Sequence, residues 1–215
     1  MALNKSQIIQ LYRKRAANYD WSANLYYLIG FREFKYRKLA VQKLRLQPGD
    51  TVVEIGCGTG LNFPLLVRAV GPEGKVIGVD LTDKMLAMAR TRVAKNNWAN
   101  VELVQTDATE YSFPDKVNGI ISTFAITLIP EYEEVIRRGA ETLAPQGRMV
   151  IADMRKPDRW PSWIVNFMVR ITQPFGTSLD ITLRKPWEAM ERYLANTGVT
   201  KLYGGFSYIS WGKKG

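Results

Sequence analysis

The sequence predicts an α/β protein: a mainly parallel β-sheet of seven strands with helices on both faces. Three observations lead there. Short β-branched runs alternate with longer helical stretches through the middle of the chain. The first of those runs ends in a glycine cluster, and acids stand directly after the second and third. Strands alternating with helices in short units have to cross over from edge to edge, which makes neighbouring strands parallel and covers both faces of the sheet.

The chain opens with helix. Ile8, Ile9, Leu11, Tyr12 and Ala16 recur at helical spacing, and 31–44 repeats the pattern with basic residues between. Pro48-Gly49-Asp50 is a turn. Thr51–Ile55 is a β-branched run suited to a buried strand, and 61–70 reads as helix stopped by Gly71-Pro72. The second strand, 75–79, closes on Asp80, and Thr82 is placed to cap a helix running to Lys95 through its hydroxyl. Residues 101–105 and 119–123 give the third and fourth strands. A helix over 131–143 ends at a Leu143-Ala144-Pro145-Gln146-Gly147 turn, and 148–152 is the fifth strand. An insert at 155–185, rich in Trp, Pro, Arg and Phe, then breaks the rhythm and holds one amphipathic helix, 162–173. The closing elements are a helix over 187–196 with Gly198 as its stop, and β-runs at 200–203 and 206–211.

Composition narrows the chemistry. The 215 residues are 46% apolar and 23% charged, values of an ordinary soluble globular protein of one-domain size. Histidine is absent, which removes histidine-based nucleophile systems and histidine-ligated metal sites; no metal is expected. One cysteine permits no internal disulfide and suits a reducing cytosol. Nothing near the start reads as a signal peptide, and the apolar stretch 163–171 is too short to span a bilayer. The net charge of +10 is uneven: 50–153 holds 10 basic and 14 acidic residues, net −4, so the flanks carry +14. Segments so basic suit an anionic partner.

The central motif is Glu54-Ile55-Gly56-Cys57-Gly58-Thr59-Gly60. Glycines between a strand and a helix let backbone approach a ligand closely, with helix amides directed at it. A nicotinamide dinucleotide site would want glycine where Leu61 stands. Asp80, after the second strand, is placed to accept two ribose hydroxyls; Asp107, after the third, is placed to accept from an adenine amino group; Leu81 and Met85 can wall the base. This order of motifs resembles the class I S-adenosylmethionine-dependent methyltransferases over nearly the whole chain. The resemblance implies a Rossmann-like fold, S-adenosylmethionine as cofactor and S-adenosylhomocysteine as product. It implies a cofactor site of Tyr19, Glu54, Gly56, Cys57, Gly58, Thr59, Gly60, Asp80, Leu81, Met85, Asp107, Ala108, Ser122 and Thr123. One domain is expected: an N-terminal helical cap (1–47), the cofactor core (48–153), a substrate-cap insert (154–186), and the last helix with a β-hairpin (187–215).

Ala17-Asn18-Tyr19-Asp20-Trp21 and the aromatic stretch 19–36, with Tyr26, Tyr27, Phe31 and Phe34, are similar to the subgroup acting on quinone precursors and on phospholipid or betaine-lipid amines. In that subgroup the N-terminal segment folds over the cofactor, which makes Tyr19 a positioning residue near the reactive methyl. Trp160, Trp163, Phe167, Met168 and Phe175, with Arg155, Lys156, Arg159 and Arg170, give the insert the chemistry of a cover that packs on the core or meets an anionic membrane. The expected location is the cytoplasm, with peripheral contact at the inner membrane face. A neutral amine needs no strong base, so the missing histidine leans the acceptor towards nitrogen of a phospholipid or aminolipid. Carbon or oxygen methylation of a quinone-like or secondary-metabolite acceptor is the alternative, with Asp153 as a candidate base. Nucleic-acid binding or non-catalytic cofactor binding are the readings from other classes. Against nucleic acid, Ser122-Thr123-Phe124-Ala125 after the fourth strand carries no base-flipping signature.

Overall fold

A computed structural model describes residues 4–173 and 176–215, with backbone alone for 22–26. Phe175 and the Tyr26 side chain therefore lie outside what is described. Seven strands form one sheet: β1 (Thr51–Ile55), β2 (Lys75–Asp80), β3 (Val101–Gln105), β4 (Val117–Thr123), β5 (Leu143–Met154), β6 (Ala195–Leu202) and β7 (Ser207–Lys213). Their order is β3-β2-β1-β4-β5-β7-β6, parallel except for β7, which runs against β5 and β6.

Alternation along the strands sorts side chains into two cores. Val53, Ile55, Ile77 and Val79 face α6 (Tyr132–Thr142) and α9 (Pro186–Tyr193). Val52, Val76, Ile121 and Val150 face α3 (Glu33–Leu44), α4 (Phe63–Val70) and α5 (Asp83–Lys95). Glu54 shares the parity of Val52, so its carboxylate is carried into the second layer. N-terminal helices α1 (Lys5–Arg15) and α2 (Tyr19–Asn24) precede these layers. The insert adds α7 (Ser162–Thr172) and the short α8 (Leu179–Thr182). A third apolar cluster joins Phe31 and Tyr36 to Met154, Met168 and Phe206, tying the N-terminal segment to the insert.

Four local expectations are corrected. The last helix ends at Tyr193, and Asn196 and Gly198 belong to β6, where Gly198 pairs with Trp211. A Cβ on Gly198 would come within 2.5 Å of the Trp211 ring, so glycine is needed there for close packing and not to stop a helix. Thr82 occupies the N-cap position of α5 but its hydroxyl caps nothing; the Asp80 carboxylate accepts the Thr82 N–H instead, at 2.8 Å. The α4 helix starts at Phe63, because Gly56, Gly58 and Gly60 all take positive φ and hold the chain open until then. The expected 143–147 turn is the beginning of β5, with a register break opposite 117–119 and Gln146 at φ +66°.

Candidate active site

Strand order reverses between β1 and β4, so the loops leaving the carboxyl ends of β1, β2 and β4 diverge and open a crevice. A cavity of about 490 Å³ occupies that crevice, within the range of small-molecule sites. Its wall includes Gly56, Cys57, Gly58 and Thr59 after β1, Asp80 as the last residue of β2, and Leu81 and Met85 beyond it. Asp107 and Ala108 after β3, Thr123 at the end of β4, and Tyr19 from α2 complete the predicted residues found there.

Three predicted residues stand off the cavity. Gly60 turns the loop at φ +78°, packed against Phe63. Ser122 is buried within β4. Glu54 lies in the layer behind: Asn62 Nδ2 donates to its Oε1 at 2.6 Å, while Oε2 is buried with no partner among the described residues. Burial lifts the Glu54 carboxyl to about 8, against the opposing pull of Arg37 and the Asn62 hydrogen bond.

The glycines answer to geometry. A Cβ on Gly56 (φ +69°) would stand 2.3 Å from the Ala125 Cβ, whereas one on Gly58 (φ +56°) would meet nothing within 4 Å. The first glycine thus lets two loops touch, and the second keeps the cavity open at a backbone position that side chains rarely adopt. Asp80 binds the two sides together, accepting from the Gly58 amide at 2.8 Å and from the Thr82 amide. Burial raises its pKa, and those two amides oppose the rise. Asp107 accepts from Thr109 N at 2.9 Å and pairs with Lys5 Nζ at 2.5 Å. Burial pushes the Asp107 pKa up, but Lys5 and Thr109 outweigh it and hold the carboxyl below its ordinary value.

Several lining residues were not anticipated. Lys5, Ile8 and Tyr12 of α1 cover the cavity, and Ion pairs of Arg13 with Asp83 and of Asp20 with Arg92 fasten the N-terminal helices to α5. Arg37 is buried and donates to Glu33, at 2.8 Å from Nε, and to Thr123 Oγ1, at 2.5 Å. Its one signal in the sequence is the i,i+4 spacing from Glu33 on a helix. Phe124, Ala125, Leu128 and Ile129 come from the loop after β4, and Phe124 sits at φ +57°, a strained position for an aromatic residue.

A second, smaller cavity shares Tyr19, Phe124 and Leu128 with the first and is further walled by Phe31, Glu33, Asp153 and Ile181. Asp153, on β5, is 3% exposed and accepts from Thr127 N at 3.1 Å and Met154 N at 2.8 Å. Burial raises its carboxyl to about 6 despite those amides. Burial likewise pushes the Tyr19 phenol far up, so it stays protonated.

The model of a methyltransferase domain family matches residues 52–147. A demethylmenaquinone methyltransferase of Listeria welshimeri is 28% identical over 96% of this chain and 90% of its own length. The crystal structure of an S-adenosylmethionine-dependent methyltransferase from Aquifex aeolicus superposes with a TM-score of 0.64 at 21% identity, over 83% of this chain and 89% of that one. These matches support the class I S-adenosylmethionine-dependent methyltransferase superfamily. The chain is an enzyme that uses S-adenosylmethionine to methylate a small-molecule acceptor. A third likeness, at TM-score 0.67 and 16% identity over 83% of this chain and 78% of the other, is to a geranyl diphosphate C-methyltransferase from Streptomyces coelicolor, solved with S-adenosylhomocysteine. The methyltransferase's own cavity fits such a cofactor: a cradle of glycine backbone, a carboxylate at the end of β2, a second after β3, and apolar walls between them. Among the described residues no helix is long and apolar enough to cross a membrane.

Proposed function

We propose that this methyltransferase alkylates a ring carbon of a small hydroxylated aromatic acceptor of the quinol type, with Asp153 taking the acceptor's proton. The observation that carries this reading is a buried carboxylate, pKa about 6, on a recess of about 30 Å³ that shares Tyr19, Phe124 and Leu128 with the larger cavity, room for one hydroxyl edge of an acceptor whose ring lies in the larger cavity. At neutral pH such a group is mostly ionised yet close enough in pKa to act as a general base. It supplies what the missing histidine would otherwise have to supply. The full-length likeness to a demethylmenaquinone methyltransferase supports the same acceptor class.

S-adenosylmethionine brings a methyl group already activated by its sulfonium, so the chain's task is alignment, exclusion of water and proton management. In this reading Asp80 holds the ribose hydroxyls and Asp107 the adenine amino group, with Leu81, Met85 and Ala108 around the base. Gly56, Cys57, Gly58 and Thr59 offer backbone to the methionyl part, Gly60 shapes their turn, and Glu54 steadies Asn62 beneath it. Ser122 and Thr123 end the strand under the reacting methyl. Protonated Tyr19 orients the acceptor by hydrogen bonding and does not serve as base. Asp153 removes the acceptor's hydroxyl proton, which raises electron density at the ring carbon; that carbon takes the methyl as its bond to the sulfonium breaks, and the proton on the same carbon then moves to the oxygen, restoring the aromatic hydroxyl.

Methylation of an aminolipid nitrogen is the second reading, favoured by Glu33 and Asp153 beside the Phe31 and Phe124 rings, a set that also suits an ammonium group. Incubation with labelled S-adenosylmethionine and either a short-chain naphthoquinol or phosphatidylethanolamine, followed by mass spectrometry, separates the two. Label on a ring carbon is the expected result. Label confined to the amine would replace the first reading with the second.

A further inference from the structure

We infer that the outer face of α7 docks the methyltransferase onto an anionic lipid bilayer. The helix has two faces of opposite fate. Val165, Met168 and Thr172 are buried, while Trp163, Asn166, Phe167 and Arg170 form the exposed stripe. A helix on a soluble protein ordinarily turns its polar residues outward. Here Trp163 is 71% and Phe167 58% exposed, one helical turn apart, beside a cation. The apolar payload of the insert has thus divided: Met168 and Trp160 pack in the third cluster, and the Trp163 and Phe167 rings do not.

Apolar exposure continues in the neighbouring segments. Leu179 and Leu183 are exposed although Ile181 between them is buried against the small cavity. Leu28 is 84% exposed beside Ile29, which packs in the same cluster as Ile164 and Val169 of α7. Patches of this kind mark a contact surface.

Charge selects the occupant. Residues 155–185 hold 6 basic and 2 acidic side chains, net +4. Lys156, Arg159 and Arg170 are exposed and have no ion-pair partner among the described residues, as is true of Arg32 and Lys35 near Leu28. A second copy of the chain seated on this face would oppose +4 to +4. An anionic bilayer meets both features, since aromatic rings settle at the headgroup boundary and each nearby Lys or Arg adds attraction. The insert that carries this face also supplies Ile181 to the acceptor cavity, so docking would bring that cavity close to lipid-soluble acceptors. That consequence rests on the quinol reading; the docking itself does not.

The test is co-sedimentation of the full chain with vesicles of phosphatidylcholine alone and of equal parts phosphatidylcholine and phosphatidylglycerol, with no cofactor or acceptor present. Expected is strong partitioning to the anionic vesicles, weakened on the order of tenfold or more by the double variant Trp163→Ser, Phe167→Ser and by Arg170→Glu. Both variants should methylate a water-soluble naphthoquinol as the parent does, which checks their folding and keeps a failure of the acceptor reading distinct. Equal binding to both vesicle types, no binding, or binding indifferent to these substitutions would overturn the inference. So would a dimer in light scattering that the double variant dissolves, because that would give the face to a second copy.

Discussion

Asp153 offers a prediction in which stability and activity move in opposite directions. Its folded-state carboxyl is raised from 3.8 to about 6 by burial. Between those values the folded state holds the proton more tightly than the unfolded chain does. Stability from this group is therefore present in full below pH 3.8 and is lost as pH rises towards 6. A difference of that size corresponds to roughly 3 kcal/mol. Asp153→Asn removes the titration. The variant's stability relative to the parent should rise by roughly 2 kcal/mol between pH 4 and pH 7, whatever constant offset arises from the amide facing the Thr127 or Met154 N–H. Urea melts of both proteins at several pH values measure this directly. Activity should go the other way. Transfer to the naphthoquinol by the parent should climb through pH 6 to a plateau where the carboxylate is about nine-tenths ionised, near pH 7. The Asn variant should be slower by roughly 10²–10⁴-fold with little pH dependence in that window. Parallel melts across the whole range would refute the burial argument, and an unaltered pH–rate profile would remove Asp153 from proton transfer.

Three further expectations follow from the cavity wall. Gly56→Ala forces a side chain into positive φ and against the Ala125 Cβ at 2.3 Å; neither atom can rotate away, so a cost of roughly 2–4 kcal/mol and at least tenfold weaker cofactor binding by calorimetry are expected. Asp80→Ala deprives the Gly58 and Thr82 amides of their acceptor as well as the ribose of its own, so cofactor affinity should fall by about 100-fold or more while far-ultraviolet dichroism is retained; an unchanged dissociation constant would defeat the assignment. Arg37→Ala strands the buried Glu33 carboxylate, and should cost about 3–5 kcal/mol in denaturant melts; a loss under 1 kcal/mol would mean that water reaches the pair.

The fold was legible because its signals are local. β1 with its glycine turn, Asp80, and the strand–helix alternation up to β5 each follow from side-chain period and backbone freedom, which act over a few residues. The 187–198 stretch misled for the same reason. Gly198 looks like a helix stop in isolation, but the Trp211 ring lying over it decides its purpose, and Trp211 arrives from the partner strand. Thr82 misled similarly, because an acid two residues earlier captured its amide.

Sequence alone determined the class of protein, the order of its strands and helices, and the acids and glycines at the strand ends, since hydrophobic period and the absence of a Cβ are properties of each residue. Tertiary structure decided which of the remaining polar groups matter. Arg37 and Lys5 are ordinary charged residues along the chain, and Asp153 is there only one candidate base. Only packing that removes water from Arg37 and Asp153, and brings Lys5 across to Asp107, gives them partners and shifted proton affinities. It also decided that Trp163 and Phe167 face outward, because an amphipathic stripe can be read from spacing but the side on which the rest of the molecule lies cannot.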